Sequence, residues 1–158
     1  MAEPGLRLYL VQHGDALTED VDPERRLSDQ GRADITRLVA WLVTNDVAVS
    51  RICHSGKTRA RQTAELLGPV LEAGGEILPA EGLGPNDPPE VFLQQLQNVD
   101  EDTLIASHLP FVARVLSQAI TGSPDQQLVQ FRPGSIAVVE RDKSGPWHLI
   151  CFACPDFF

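Results

Sequence analysis

The stretch Leu-Arg-Leu-Tyr-Leu-Val-Gln-His-Gly, residues 6–14, decides the fold of this chain. Its first six residues form a short, mostly apolar run bounded by Gly5 and Gly14, which favours a buried strand over a helix. The apolar run stops at Gln12 and His13. Because open α/β sheets bind ligands at the carboxyl ends of their strands, this polar end is the first candidate for a functional site.

Beyond this strand, short apolar runs alternate with segments of helical spacing. Residues 15–26 are polar and predict a loop, and Ser28 is the predicted N-cap of a helix whose apolar face includes Ile35 and Leu42. The other predicted strands are 47–53, a short one near Ile77 and Leu78, 103–107, 135–140 and 147–152, with a turn around Lys143-Ser144-Gly145. The other predicted helices are 57–67, 90–96 and 110–120, the last with Pro110 in its first turn.

The alternation of strands and helices predicts an α/β fold with a layered, mostly parallel sheet and a hairpin near the end. The sequence contains no internal repeat, linker or low-complexity segment, so residues 1–158 are expected to form a single domain.

Composition is that of an ordinary soluble protein, with 42% hydrophobic and 22% charged residues. The net charge of −9 argues against nucleic-acid or anionic-membrane binding, although arginines gathered in a cleft could still bind phosphate. Because the first residues lack a basic region followed by an apolar stretch, we expect no secretory signal, and the sequence has no apolar run long enough to span a membrane. Its three cysteines, two of them in a Cys151–Cys154 CxxC, are expected to be structural thiols in a reducing compartment. We therefore expect a cytoplasmic protein.

Three polar segments follow predicted strands. They are Gln12-His13-Gly14, the run from Ser55 to Thr63 that contains Arg59, and Ser107-His108-Leu109-Pro110. Each leads towards a helix start, where free backbone N–H groups and a positive dipole end favour an anion. We therefore expect His13, Arg59 and His108 to meet at one edge of the sheet.

Four segments together resemble the histidine phosphatase (phosphoglycerate mutase-like) superfamily, and within it the small SixA-type phosphohistidine phosphatases. LYLVQHGDA resembles the family's strand followed by Arg-His-Gly, and HSGKTRARQTAELL resembles its SPxxRAxQTA signature, with Arg59 on the signature arginine. IASHLPFVARVL resembles the later histidine segment, with His108 as that histidine. The segment Arg26-Leu27-Ser28-Asp29-Gln30-Gly31 resembles the RxLTxxG step into the first helix.

The resemblance implies a three-layer sandwich with a mostly parallel central sheet flanked by helices. It also implies a phosphatase in which His13 attacks phosphorus and carries the phosphoryl group covalently. Arg59 would bind two phosphoryl oxygens with its fork, and His108, if protonated, would donate to another. The scheme needs no metal or cofactor. Its partner would be a phosphorylated protein or a small phosphorylated molecule.

Gln12 departs from the family pattern, because the family has an arginine at this position. Glutamine still hydrogen-bonds phosphate but lacks the charge and the planar fork. Losing one such donor typically costs about 2.7–4 kcal/mol. The outcome is either weakened catalysis, with compensation by Arg26 or Arg61, or an inactive module that only binds phosphate or phosphoproteins.

Other roles stay open at the level of the sequence. Relatives carry an acid that protonates the leaving group in a region that here contains Glu81, Asp87 and Glu90. We choose Asp87 as the candidate for this role; the alternative is that Asp87 is only a solvated aspartate in a turn. Asp15 could line the pocket rim, and Ser55 could cap the second helix. A metal site would have to combine the CxxC with histidines that lack close ligand spacing, which are His13, His54, His108 and His148.

Overall fold

The computed structural model describes residues 5–142 and 145–158. The strands are β1 (Leu6–Gln12), β2 (Val49–His54), β3 (Leu71–Pro79), β4 (Thr103–Ser107), β5 (Ile136–Arg141) and β6 (Trp147–Ala153). The α-helices are α1 (Asp29–Thr44), α2 (Thr58–Leu66), α3 (Pro89–Gln95) and α4 (Phe111–Thr121), and short 3-10 turns lie at Gly68–Val70, Leu96–Asn98 and Pro155–Phe157.

The described strands form one six-stranded sheet in the order β3-β2-β4-β1-β5-β6. The first four strands in this order run parallel, while β5 and β6 pair antiparallel at the other end. The α/β fold with a mostly parallel sheet is therefore confirmed. Because β4 lies between β1 and β2, the residues that follow these three strands emerge side by side at one edge.

Both faces of the sheet are buried, as β1 illustrates. Leu8 and Leu10 belong to a core under α3 and α4, whereas Tyr9 and Val11 belong to a second core under α1 and α2. This alternation along one strand produces three layers, as the family resemblance implies. In the part of the chain that the structure describes, no helix combines the length and apolarity needed to cross a membrane.

The start of α1 is fastened to the segment that follows β1. The Ser28 side chain accepts a hydrogen bond from the Gly31 amide at 3.0 Å, which confirms Ser28 as the N-cap. A Cβ at position 31 would stand 2.1 Å from the Asp15 carbonyl oxygen, so this close approach requires glycine. The Ser28 amide and hydroxyl also donate to the Asp15 carbonyl and carboxylate. The polypeptide just after His13 is thus fixed to a helix.

Most predicted elements are confirmed with their ends shifted by one or two residues. The exception is β3, which runs from Leu71 to Pro79 rather than being a short strand near Ile77. It is an edge strand with an irregular register against β2, and its Glu72–Glu76 stretch is polar and glycine-rich, so the apolar signal covers only its end. Of the turn predicted at the β5–β6 hairpin, Lys143 and Ser144 lie outside the described residues.

Candidate active site

The two histidines expected at the site face one another at the carboxyl edge of the sheet. Gln12 and Ser107 are register partners at the ends of β1 and β4, and the His13 amide donates to the Ser107 carbonyl at 2.9 Å. The ring centroids of His13 and His108 lie 5.0 Å apart. The parallel pairing of these strands is what places both imidazoles in one pocket.

The environment of His13 favours a neutral imidazole with a defined tautomer. Its Nδ1 lies 2.7 Å from the Gly14 carbonyl oxygen. A carbonyl only accepts, so Nδ1 carries the proton and Nε2 keeps its lone pair. Burial lowers the pKa of His13 to about 4 and outweighs the hydrogen bond with the Gly14 carbonyl, which raises it; the charges of Arg59 and Arg25 add smaller decreases. At neutral pH the side chain therefore presents an unprotonated nitrogen.

His108 is almost fully buried, with 2% of its surface exposed. Its Nε2 lies 2.6 Å from the Ser55 hydroxyl, and its Nδ1 is buried with no hydrogen-bond partner in the part of the chain that the structure describes. Burial first, and then the charges of His13, Arg59, Lys57 and Arg25, lower the pKa of His108 to about 3. The neutral imidazole is thus favoured in the free site. From the sequence, we expect His108 to donate to a phosphoryl oxygen only if it is protonated.

Ser55 does not cap α2, contrary to one of our readings of the sequence. The N-cap of α2 is Lys57, which makes no side-chain capping bond. The Ser55 hydroxyl instead contacts His108 and accepts a long hydrogen bond, 3.4 Å, from the Lys57 amide. The glycine that follows, Gly56, has a φ of 91° and turns the chain between Ser55 and the helix.

Arg59 lies in the first turn of α2, and its Nε is buried without a partner. Burial and the charge of Arg25 lower its pKa. Thr63 links its helix to the nucleophile segment: the Thr63 hydroxyl donates to the Arg59 carbonyl at 2.8 Å and accepts from the Gly14 amide at 3.0 Å. The position of Arg59 relative to His13 is therefore fixed through one buried side chain.

Gln12 is buried at the end of β1, with 6% of its surface exposed. Its backbone is paired on one side with Ser135 and Gly134, at 3.1 and 3.0 Å. The side-chain oxygen Oε1, by contrast, is buried and has no hydrogen-bond partner among the described residues. Because Oε1 only accepts, the Gln12 amide has to present Nε2, its donor, to a phosphoryl oxygen.

The two arginines that we considered as replacements for the family arginine have carboxylate partners of their own. Arg26 lies 3.5 Å from Asp22, and Arg61 lies 3.0 Å from Glu65. Arg26, Arg61 and Glu65 are exposed, whereas Asp22 is half-buried. The charge of the neighbouring Arg25 contributes to lowering the pKa of His13, Arg59 and His108, although burial is the larger cause at each of them.

Arg25 is held in an unusual backbone conformation, with a φ of 51°. Such a conformation is uncommon for residues other than glycine, asparagine and aspartate, and it concentrates at functional sites. The Asp22 carboxylate stabilises the turn by accepting from the amides of Glu24 and Arg26, and the Asp22 carbonyl accepts from the Arg25 amide. Arg25 Nε donates to the Leu17 carbonyl at 3.1 Å, which folds the guanidinium back over the loop.

The carboxylates singled out from the sequence have structural contacts. The Asp15 carboxylate accepts from the Ser28 hydroxyl at 2.6 Å, and Asp87 Oδ2 accepts from the Gly84 amide at 2.7 Å. The second contact is that of a turn aspartate, the alternative role given to Asp87. The loop that carries Asp87 does adjoin the site, because Ser107 donates its hydroxyl proton to the Leu83 carbonyl.

The residues considered for a metal site do not come together as one group, although His13 and His108 are neighbours. Among residues 5–142 and 145–158, no three His, Cys, Asp or Glu side chains are grouped so that they could hold a metal ion. His54 Nδ1 accepts from the Gly56 amide, and His148 lies on the exposed part of β6. Cys151 and Cys154 are half-buried free thiols.

Similarity to known proteins identifies the family to which this chain belongs. No protein-family model matches the sequence. The phosphohistidine phosphatase SixA of Escherichia coli K12 is 32% identical over 146 residues, which cover 89% of this chain and 88% of that protein. The chain belongs to the SixA-type branch of the histidine phosphatase superfamily. A SixA structure with tungstate superimposes with a TM-score of 0.83 at 25% identity, over 96% of this chain and 99% of that one. A proposed SixA from Agrobacterium tumefaciens, 23% identical, has the same fold, with a TM-score of 0.76 over 97% and 99% of the two chains.

Sequence reasoning missed three residues of this SixA-type site. Ser55 and Thr63 lie within the segment that resembles the arginine signature, but only the structure shows that they contact His108 and Gly14. Arg25 stands two residues before Leu27 and six before Gly31, which is the place of the arginine in RxLTxxG. That spacing was the available signal, and comparing Arg26 with the pattern's arginine missed it.

Proposed function

We propose that this chain is a phosphatase that uses His13 as nucleophile, forms a covalent phosphohistidine intermediate, and needs neither metal nor cofactor. The observation that carries the proposal is the tautomer of His13. Its Nδ1 proton is committed to the Gly14 carbonyl, so Nε2 offers a lone pair inside a pocket that also contains Arg59 and Arg25. A neutral imidazole fixed in this way is an activated nucleophile for phosphorus.

The reaction follows from these groups. His13 Nε2 forms a bond to phosphorus while the bond from phosphorus to the leaving oxygen or nitrogen breaks, and the leaving group takes a proton from water or a side chain. Arg59 binds two equatorial oxygens, Arg25 binds through its terminal nitrogens, and Gln12 and His108 donate hydrogen bonds. Fixed donors of this kind stabilise the charge that spreads over the transferring group. Water then attacks phosphorus, releasing phosphate and restoring His13.

The substrate class that we propose is a protein phosphohistidine or a small phosphomonoester. The E. coli relative is a phosphohistidine phosphatase, and a SixA structure holds tungstate, a tetrahedral oxyanion like phosphate. A surface groove of about 830 Å³ begins at Leu109, next to His108, and could receive polypeptide flanking a phosphorylated side chain. An imidazole leaves more readily than an alkoxide, so a phosphohistidine makes little demand on Asp87, which we retain as the candidate general acid for esters.

A second function is favoured by one observation, the glutamine at position 12. A site with Gln12 could bind phosphate or a phosphoprotein without turning it over. In either role the Gln12 amide would donate to a phosphoryl oxygen through Nε2, because its Oε1 only accepts. The two functions differ in whether phosphate is released.

A substrate panel separates them. Wild type and Gln12→Arg are assayed in EDTA with an aryl phosphate, a phosphohistidine peptide and a phosphoserine peptide. We expect wild type to release phosphate, fastest from phosphohistidine. Activity that appears only in Gln12→Arg would establish the binding module, and activity that disappears with EDTA and returns with added metal would contradict metal independence.

A further inference from the structure

The contact between Ser55 and His108 is the closest polar contact to either site histidine, at 2.6 Å between Oγ and Nε2. It joins residues 53 positions apart, one after β2 and the other after β4. The parallel pairing of β2 with β4 brings them together. The family resemblance assigns a role to His108 but not to this hydroxyl.

The direction of this hydrogen bond determines what His108 can do. If Nε2 donated to the hydroxyl, Nδ1 would carry a lone pair, and a neutral imidazole would face an anionic ligand with an acceptor. If the hydroxyl donates, Nδ1 carries the proton. Nδ1 is the buried nitrogen without a partner, so it is the atom left to meet a ligand.

The surroundings of Ser55 favour donation by its hydroxyl. The Lys57 amide points at Oγ from 3.4 Å and occupies an acceptor position of the oxygen. The charged and titratable groups that act on His108 are His13, Arg59, Lys57 and Arg25, which oppose an imidazolium. The ring therefore accepts at one nitrogen and donates at the other.

We propose that Ser55 is a positioning residue that fixes His108 as the neutral Nδ1–H tautomer, so that Nδ1 donates a hydrogen bond to the transferring phosphoryl group. The hydrogen bond to a phosphoryl group rests on the proposed function. The tautomer of His108 is a property of the free protein and can be measured without substrate. With this assignment, both histidines of the site are Nδ1–H tautomers, but they use the Nδ1 proton differently. His13 directs that proton at the backbone and attacks with Nε2, whereas His108 directs it at the ligand.

The test begins with wild-type protein, free of ligand, in EDTA at pH 7. Two-bond 1H–15N correlation spectra report which ring nitrogen is protonated, and loss of a signal in His108→Gln assigns the ring. We expect the Nδ1–H pattern for His108. A predominant Nε2–H pattern would overturn the proposal without any reference to catalysis.

Variants then connect the tautomer to the reaction. Ser55→Ala should give a mixture of tautomers and lower kcat by about tenfold to a hundredfold with a smaller change in KM, because the lost donor acts on the transition state. Ser55→Thr keeps a hydroxyl and should retain the tautomer and most of the activity. The matched control is Ser117→Ala, which removes another hydrogen-bonded buried hydroxyl, on α4, and should leave the His108 spectrum unchanged.

The outcomes distinguish this inference from the proposed function. An Nδ1–H signal in a wild type that turns over no substrate would sustain the tautomer assignment and refute the phosphatase. A Ser55→Ala variant that is folded, as fully active as wild type and unchanged in its His108 spectrum would refute the positioning role. Equal losses in Ser55→Ala and Ser117→Ala would also refute it, because they would reflect stability alone.

Discussion

The two sides of the pocket are built differently. On the β4 side, which comprises Ser55, Arg59 and His108, the segments match the family signatures and are linked by short hydrogen bonds. On the β1 side, which comprises Gln12, His13 and Arg25, glutamine stands where the family has an arginine after the strand, and the charge of Arg25 acts on the site from the following loop. The β4 side therefore keeps the signature residues in a hydrogen-bonded network, whereas the β1 side keeps the proposed nucleophile with one arginine fewer than the family pattern.

The backbone conformations of Arg59 and Arg25 also differ. Arg59 stands in the first turn of a regular helix, where no unusual backbone angle is needed. Arg25 has a φ of 51° and depends on the Asp22 turn and the Leu17 carbonyl for its orientation. Backbone held in this region costs of order 1–3 kcal/mol. Because Arg25 Nε already donates to the Leu17 carbonyl, whereas Arg59 Nε has no partner among the described residues, we expect Arg25 to contribute less to catalysis than Arg59.

The largest effect should come from the β4 side. Arg59→Ala removes a bidentate donor and should lower kcat/KM on the order of a thousandfold. Arg59→Lys should restore only part of this, because an ammonium lacks the fork. Steady-state kinetics on an aryl phosphate measure the change. Arg61→Ala, which disrupts an exposed pair on the same helix, is the control, and a similar loss there would refute the assignment of Arg59.

The next effect concerns Arg25. Arg25→Gln should lower kcat/KM by about tenfold to a hundredfold, because it removes one fixed cation from the pocket. Adding Gln12→Arg to that variant should recover most of the loss, since the guanidinium then returns from β1. Arg26→Gln, the exposed neighbour, should change activity by less than about twofold. Equal losses in Arg25→Gln and Arg26→Gln would show that only net charge matters.

A smaller effect, in the opposite direction, is expected for Gln12 alone. Gln12→Arg in the wild-type background should raise kcat/KM by about tenfold. This gain is smaller than the effect expected of one preorganised donor, because the charge of Arg25 already acts on this side of the pocket. Gln12→Met keeps the length without the amide and should lower activity slightly. A folded Gln12→Arg variant with reduced turnover would show that the β1 side is adapted to glutamine.

No change in charge is expected on either side of the pocket between pH 5 and pH 8. The pKa of His13 is about 4 and that of His108 about 3, both lowered chiefly by burial. Because the unfolded chain binds these protons near its ordinary histidine pKa of about 6.5, stability should be full above that pH and fall as pH drops towards 4. NMR titration of the assigned rings measures the values. An inflection of His13 near 6.5 would contradict them.

The fold was largely predictable because its signals are local. The apolar runs of β1 and β4 are buried on both faces, and the Ser28 cap and the glycine and proline stops mark helix ends. The full extent of β3 was not predictable, since an edge strand needs no apolar face and its polar Glu72–Glu76 stretch gives no periodic signal. Its pairing with β2 is a tertiary property.

The sequence predicts which segments form the site, but it does not predict the hydrogen bonds that connect them. The strand-end positions of His13 and His108 and the helix-start position of Arg59 follow from sequence and parallel pairing. The Ser55–His108 contact depends on two loops that meet only after folding, and Arg25 depends on a left-handed turn at a residue type that rarely adopts one. These are the places where tertiary structure overrides local preference.

Trapping the intermediate tests the central claim most directly. Wild type in EDTA is mixed with a rapidly hydrolysed aryl phosphate, quenched in base, and analysed by intact mass and 31P NMR. Our account expects one added phosphoryl group with the acid lability of phosphohistidine, located on the peptide that contains His13, and neither adduct nor turnover in His13→Ala. Full turnover in His13→Ala, or a phosphoryl group on another residue, would contradict it.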